Sequence, residues 1–230
     1  MTKEIKPISM PGIHKRFFPF FRQNLPDSSS RVLDVGAGHG AFSKELYELG
    51  YQVEACDLFP GIFYFDQIKC KKADLTQPLP YEDDQFDAVV AMEVMEHILD
   101  HEVFFSEVQR VLKPGGKFFI STPNVLSLKS RLRFLFSGFF YSFKPLDLQN
   151  NDGLQHVASL TVDQYNYLAE RNGLSLAKLQ IDKKQSTSRW LMLLYPLLWL
   201  YTLAQKIKPI HNQFDLLMGR VLFFMYQPKS

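Results

Sequence analysis

Four acids stand at intervals along the first half of the chain, Asp34, Asp57, Asp74 and Glu93, and each interrupts or closes an apolar run. Asp34 lies within Val32-Leu33-Asp34-Val35, just ahead of the turn Gly36-Ala37-Gly38-His39-Gly40. A carboxylate at that depth needs a partner, either the amides of the loop or a polar ligand. Glycines at alternate positions let the backbone turn sharply and approach a ligand where a Cβ would collide. Asp57 follows Gly40 by 17 residues, close to the ~20 at which a βαβ unit places a carboxylate on a ribose diol. Asp74 ends a third run, where the exocyclic amine of an adenine is a natural donor to it. Read together, the acids match the polar inventory of a nucleoside.

Which nucleoside is a question of charge. No Gly-Lys-Ser/Thr follows the loop, so it is not a P-loop. The spacing is Gly-x-Gly-x-Gly rather than Gly-x-Gly-x-x-Gly, although Ala41 can stand in for the last glycine. Asp34 puts negative charge where a dinucleotide would lay its pyrophosphate, which is unfavourable. S-adenosylmethionine has no phosphate. It offers a sulfonium, an ammonium, a ribose diol and an adenine, and an acid-lined pocket with a close-approach loop suits it better than NAD.

The elements that must hold these residues alternate between strand and helix. Ile13, Phe17, Phe18, Phe21 and Leu25 fall at helical spacing, with Pro19 expected near the helix start or at a kink. Pro26-Asp27-Ser28-Ser29-Ser30 reads as a linker. Val32, Leu33 and Val35 need not alternate with polar residues if the strand is parallel and covered on both faces. A helix marked by Ala41, Phe42, Leu46 and Leu49 stops at Gly50, and strands are expected over 51–57, 68–73 and 86–92. Asp100 can cap a helix carrying Phe104, Val108, Val111 and Leu112, ended by Lys113-Pro114-Gly115-Gly116 before a fifth strand over 117–121. Thr161 with Gln164 forms a capping-box pattern, its helix stops at Gly173, and strands follow over 174–181 and 221–226. The alternation predicts a parallel α/β sheet with ligand at the carboxyl ends of its strands, where the four acids fall.

The 230 residues, 46% hydrophobic and 22% charged, fit a single globular domain. Cys56 and Cys70 are the only cysteines, and both fall in predicted strands, which favours a reducing compartment over a disulfide framework. Met1-Thr2-Lys3-Glu4-Ile5-Lys6-Pro7 lacks the apolar core of a signal peptide, so a cytoplasmic location is expected. The net charge of +2 hides an asymmetry: residues 1–111 carry 11 Lys/Arg against 18 Asp/Glu, and 112–230 carry 15 against 6. A basic second half fits an anionic partner or surface, or uneven solvation alone.

The ordered motifs Val32-Leu33-Asp34-Val35-Gly36-Ala37-Gly38-His39-Gly40, Cys56-Asp57, Ala73-Asp74-Leu75, the run from Phe86 through Met92-Glu93-Val94-Met95-Glu96-His97, and Leu112-Lys113-Pro114-Gly115-Gly116 resemble those of class I S-adenosylmethionine-dependent methyltransferases. Within that class they resemble the branch of ubiquinone-biosynthesis type O-methyltransferases and bacterial small-molecule methyltransferases. The resemblance covers residues 31–122. It implies a Rossmann-like, seven-stranded, mostly parallel sheet with helices on both faces and an antiparallel last strand. It also implies roles: Gly36, Ala37, Gly38 and Gly40 bordering the methionine moiety, Asp34 taking its amino end, Asp57 on the ribose diol and Leu58 against the adenine. Asp74 would accept from the adenine amine, Leu75 would give a backbone contact, and Ala91, Met92 and Glu93 would form the floor near the sulfonium. A 1–30 helical cover, a 31–122 cofactor core and acceptor-side insertions at 123–160 and 184–220 complete the expected single domain. A methyltransferase-fold binding protein without turnover and an NAD-dependent oxidoreductase are the alternatives.

Methyl transfer to oxygen requires a base only where the acceptor must lose a proton, and Glu93, His97 and His156 are the candidates. His97 follows Glu93 by four residues and would share its face on a helical turn. His156 precedes the capping-box helix, where proteins of the resembling class often carry an active-site histidine. No metal site is expected, because Asp83-Asp84 has no third ligand at useful spacing. Ser121-Thr122-Pro123-Asn124 lacks the aromatic that amino-methylating DNA enzymes place after proline, so no nucleic-acid partner is expected. Two segments exceed a minimal enzyme. Residues 129–143 interleave Arg131 and Arg133 with phenylalanines inside a 112–146 stretch that contains no acid. Residues 190–204 are almost wholly apolar, but about 15 residues fall short of the ~20 that span a bilayer. Both segments are expected either to meet an anionic membrane for a small-molecule or lipid-linked acceptor, or to pack in the core or a dimer contact.

Overall fold

The computed structural model describes residues 5–229; the stretch read for a leader begins outside the described residues, at Met1–Glu4. Seven strands form one sheet: β1 (Arg31–Val35), β2 (Gln52–Asp57), β3 (Cys70–Lys72), β4 (Phe86–Met92), β5 (Leu112–Pro123), β6 (Leu174–Ile181) and β7 (Val221–Pro228). Their order is β3-β2-β1-β4-β5-β7-β6. β1 through β5 pair in parallel, and only β7 runs against its neighbours β5 and β6. The order reverses at β1 and β4, and the crevice above that switch point is where α/β sheets take their ligands.

Both sheet faces are covered, which is why the strands read as unbroken apolar runs. Leu33, Val35, Val89, Phe118 and Phe224 face one layer with α3 (His101–Val111) and α5 (Val162–Arg171). Val32, Val90, Phe119, Phe223 and Met225 face the other with α1 (Ile13–Asn24) and α2 (Ala41–Glu48). Phe17 and Phe21 of α1 are fully buried, and Phe17 meets Phe42 and Phe223 edge-on at 5.8 and 5.1 Å. The amino-terminal helix is thus a structural part of the second layer.

Local departures have local causes. Pro19 sits inside α1 rather than at its start, where it removes one backbone donor. Asp100 occupies the N-cap of α3, but its side chain caps no amide. Leu112 belongs to β5, not to α3: it pairs with Phe86, the register then shifts, and Lys117 pairs with Ala88, so Lys113–Gly116 bulge out of the ladder. β3 is three residues long where six were expected. Cys70 is half-buried beside the buried Cys56, and both thiols are free. The Thr161–Gln164 capping box forms as read.

The remaining helices follow β5 and β6: α4 (Leu128–Ser137), α6 (Ser188–Leu191), α7 (Tyr195–Ala204) and α8 (Phe214–Met218). Among the described residues no helix is long and apolar enough to cross a membrane. Core packing of 190–204 is not observed, since no residue of α7 is buried. Replacing Phe17 with alanine removes the ring that joins α1 to α2 and β7. Urea unfolding followed by circular dichroism is expected to show a loss of about 3–5 kcal/mol.

Candidate functional site

β1 ends in a loop that its neighbour strand fixes. The amides of Gly36 and Ala37 both donate to the Cys56 carbonyl, at 2.9 and 3.2 Å. Gly36 and Gly38 adopt φ of +67° and +53°, a region costly for residues with a Cβ. At Gly36 a Cβ would also lie 2.5 Å from a Val94 methyl. Asp57, at the end of β2, accepts from the Gly38 amide through Oδ2 (2.9 Å) and from the Phe59 amide through Oδ1 (2.8 Å). Its carboxylate therefore shapes the loop and the following turn at once.

Asp34 is buried beneath the loop. Its partner is not a loop amide: the Ser43 hydroxyl of α2 donates to Oδ2 at 2.5 Å. Burial outweighs that bond and pushes the carboxyl up to about 7. Asp74 accepts from the Thr76 amide and hydroxyl at 2.9 and 2.8 Å, which fixes the turn after β3.

A cavity of about 700 Å³ opens above these strand ends. Asp34, Gly36, Ala37, Gly38, Asp57, Leu58, Asp74, Leu75, Met92 and Glu93 line it, as do His97 and His156. Gly40 and Ala91 do not: Gly40 caps α2 against Phe63 and Phe65, and Ala91 is buried within β4. The sequence reading missed several of the lining residues. Lys6 to Met10 and His14 close one side, with the Ile8 side chain against Gly38, and Asp152 to Leu154 close another. Glu96 is the missed residue with most chemistry, and its only sequence signal was its place between Glu93 and His97.

Glu93 and His97 do not share a helical face. Glu93 has φ +55°, which breaks any helix there, and only Met95–His97 form a short 3-10 turn. Glu93 instead turns to β5, where Ser121 Oγ donates to its Oε1 at 3.0 Å and burial pushes its carboxyl to about 7. His97 meets Glu96 and His156, and one donor atom from each of these three lies within 4.8 Å of the others. Glu96 is buried, held by the Thr122 hydroxyl at 3.3 Å, and burial raises its carboxyl well above the usual range. Its backbone carbonyl accepts from the amides of Val157 and Ala158 and so pins the segment that carries His156.

The two imidazoles are not equivalent. His97 Nδ1 lies 2.9 Å from the Gln155 carbonyl, which can only accept, so the proton is on Nδ1 and Nε2 is the acceptor. His156 sits edge-on to His97, ring centroids 4.9 Å apart, and edge-on to Phe143 at 5.2 Å. Its Nδ1 is buried without a hydrogen-bond partner among the described residues. Burial, and secondarily His97, lower its pKa to about 4, so it is neutral at pH 7. A carboxylate with two neutral imidazoles is also a donor set suited to a divalent transition metal.

A doubly covered sheet of this order, with a glycine loop and acids at its strand ends, defines the class I S-adenosylmethionine-dependent methyltransferases. The family profile described as "Methyltransferase domain" matches residues 10–179, and the chain belongs to that family. It is 32% identical over 181 residues to the mitochondrial ubiquinone biosynthesis O-methyltransferase of Homo sapiens, covering 69% of this chain and 48% of that protein. It is 37% identical over 106 residues to the corresponding protein of Xanthomonas oryzae pv. oryzae, covering 42% of this chain and 44% of the relative. The match thus spans about half the length of these curated relatives. A SAM-dependent methyltransferase from Archaeoglobus fulgidus shares the fold at a TM-score of 0.60 and 16% identity, over 93% of each chain. S-adenosylmethionine is the cofactor of this class.

Gly36→Ala combines a strained φ with a collision against Val94. Isothermal titration calorimetry with S-adenosylhomocysteine is expected to show binding lost, or weakened at least ~30-fold, a ~2 kcal/mol effect in keeping with such backbone strain.

Proposed function

We propose that the protein moves a methyl group from S-adenosylmethionine to an oxygen of a small-molecule, lipid- or saccharide-type acceptor. One observation carries the reading: a single cavity joins the acid-and-glycine strand ends to the His97–His156–Glu96 group. On the cofactor side, Asp34 takes the ammonium, Asp57 the ribose diol and Asp74 the adenine amine. Leu58 lies against the base, Leu75 gives a backbone contact, and Met92 and Glu93 border the sulfonium. In the reaction the acceptor oxygen attacks the methyl carbon in line, the carbon–sulfur bond breaks, and S-adenosylhomocysteine leaves. Holding the two reactants at contact supplies much of the acceleration. The acceptor proton passes to His156, which burial keeps neutral and whose Nδ1 has no competing partner.

Asp34 gives the cofactor half its test. Burial holds its carboxyl near 7, and an ammonium favours the ionised form, so binding releases a proton below that pH. Affinity for S-adenosylhomocysteine is expected to be level at alkaline pH and to fall as pH drops through about 7. Asp34→Asn should weaken binding and flatten that slope in calorimetry; an unchanged slope would remove Asp34 from the role.

For turnover, His156→Ala is expected to lower kcat/KM by about 10²–10⁴ while leaving S-adenosylhomocysteine binding intact. A second reading has its own support in the donor set of Glu96, His97 and His156, which could hold a metal that acidifies the acceptor hydroxyl. The two separate by chelation. A protein that uses His156 as base keeps its rate after exhaustive treatment with a chelator, and a metal-assisted one loses it and regains it with added divalent ion. Binding of NAD without S-adenosylhomocysteine would favour the oxidoreductase alternative, and binding without turnover on any acceptor the non-catalytic one.

The acceptor is read as amphiphilic or lipid-linked, met by a cytoplasmic protein in peripheral contact with an anionic membrane through 129–143 and 190–204. Both segments lack acids and both expose apolar side chains, which supports this reading.

A further inference from the structure

Two acid-free stretches meet on one side of the molecule. α4 packs against α6, and Arg131 of α4 donates to Asn212 Oδ1 and to the His211 carbonyl, both at 2.7 Å. Arg133 donates to the Phe143 carbonyl at 3.0 Å. These arginines, in a segment that the sequence left open between a membrane face and packing, hold the platform together. What the platform presents outward is apolar. Phe136 and Leu135 of α4 are 81% and 74% exposed, and Trp190 and Leu193 are 80% and 76% exposed. α7, Tyr-Pro-Leu-Leu-Trp-Leu-Tyr-Thr-Leu-Ala, is apolar around its whole circumference with no residue buried. A helix of that kind ordinarily belongs in a core or in hydrocarbon.

Charge selects what covers it. From Lys183 to Phe214 there is no acid, and Lys183, Arg189, Lys206 and Lys208 are exposed at the rim. A second copy of the chain would bring two such basic rims together, which is repulsive, whereas an anionic bilayer complements them. At 1.5 Å per residue α7 is about 15 Å long, half the ~30 Å hydrocarbon thickness, so it lies along the interface and does not span. The platform also reaches the cleft. Phe134 stacks on Phe140 at 4.4 Å, Phe140 meets Phe143 at 6.4 Å, and Phe143 meets His156 at 5.2 Å.

We propose that the face formed by α4, α6, α7 and residues 205–214 docks in the interface of an anionic bilayer, with Lys206 and Lys208 on the headgroups. The aromatic line from Phe134 to His156 then leads the apolar tail of an acceptor from the bilayer to the cleft. The proposal rests on the reading of the acceptor as amphiphilic.

The chain's two tryptophans, Trp190 and Trp199, both lie on this face, so selectively excited tryptophan emission reports on it. The protein is titrated with phosphatidylcholine vesicles, with and without phosphatidylglycerol, and with brominated versions of each. Anionic vesicles are expected to shift the emission to the blue and brominated ones to quench it. Lys206→Glu with Lys208→Glu should weaken vesicle binding at least ~10-fold, given the contribution of each lysine near an anionic surface. Leu197→Asp with Leu200→Asp should abolish it, and S-adenosylhomocysteine binding, unchanged in both variants, shows that they fold. No shift with anionic vesicles, in protein that still binds S-adenosylhomocysteine, overturns the docking surface and leaves methyl transfer standing. A blue shift that needs only protein concentration, with dimers in sedimentation velocity, overturns it in favour of a second copy. Vesicle binding by protein that transfers no methyl group supports the surface while removing the activity.

Discussion

The buried carboxyl of Asp34 is the constraint around which the cleft is arranged. An ion moved out of water is costly unless paired, and what Asp34 receives from α2 is hydrogen bonding by Ser43, not an opposite charge. The carboxyl therefore sits near its midpoint at neutral pH, unlike a solvated surface acid. Everything beside it is fixed independently of that charge. The loop amides are committed to the Cys56 carbonyl, Gly38 to Asp57, and the strand to parallel ladders on both sides. A rigid frame around a buried acid with no opposite charge beside it costs stability that a frame without the acid would retain.

The parts of this frame that rest on period and punctuation were legible in the sequence. β1 and β4 are buried on both faces, so their runs of Val, Leu, Ala and Phe announce them without alternation. The Thr161–Gln164 box is a local hydrogen-bond pattern, and it forms. Legibility ended where backbone geometry overrode spacing. Residues 93 and 97 share a face only if the chain between them is helical, and the positive φ of Glu93 removes that condition. The true neighbour of His97, His156, is distant in sequence and is brought in by the Glu96 carbonyl. Lys6 to Met10 carry no pattern that would place them over the glycine loop.

Composition misled in the opposite sense for the second half. Arg131 and Arg133 look like surface cations because they alternate with phenylalanine, yet Arg131 donates to two carbonyls and an amide oxygen, and Arg133 to the Phe143 carbonyl while lying over the Tyr141 ring. An apolar run such as 190–204 reads equally as core, contact or interface, since hydropathy records preference and not location. Only three-dimensional placement distinguishes them, and it puts Trp190, Leu197 and Trp199 outside the core.

These two kinds of surface divide the molecule's work along the sheet. The cavity's acids and glycines come from the ends of β1, β2 and β3 and their short turns, where ladders and loop amides leave little freedom. The histidines and the platform come from the segments after β4, β5 and β6, which are longer and contribute little to the sheet. A methyl donor is always the same molecule, so the first group can be rigid. An acceptor must be admitted, oriented against the sulfonium and released, so the second group has to tolerate movement. The aromatic line from Phe134 to His156 runs within the second group, from α4 to the cleft, and packing through rings transmits position without a continuous hydrogen-bonded path. A surface that engages a bilayer at one end of that line would thereby bias where His156 stands at the other.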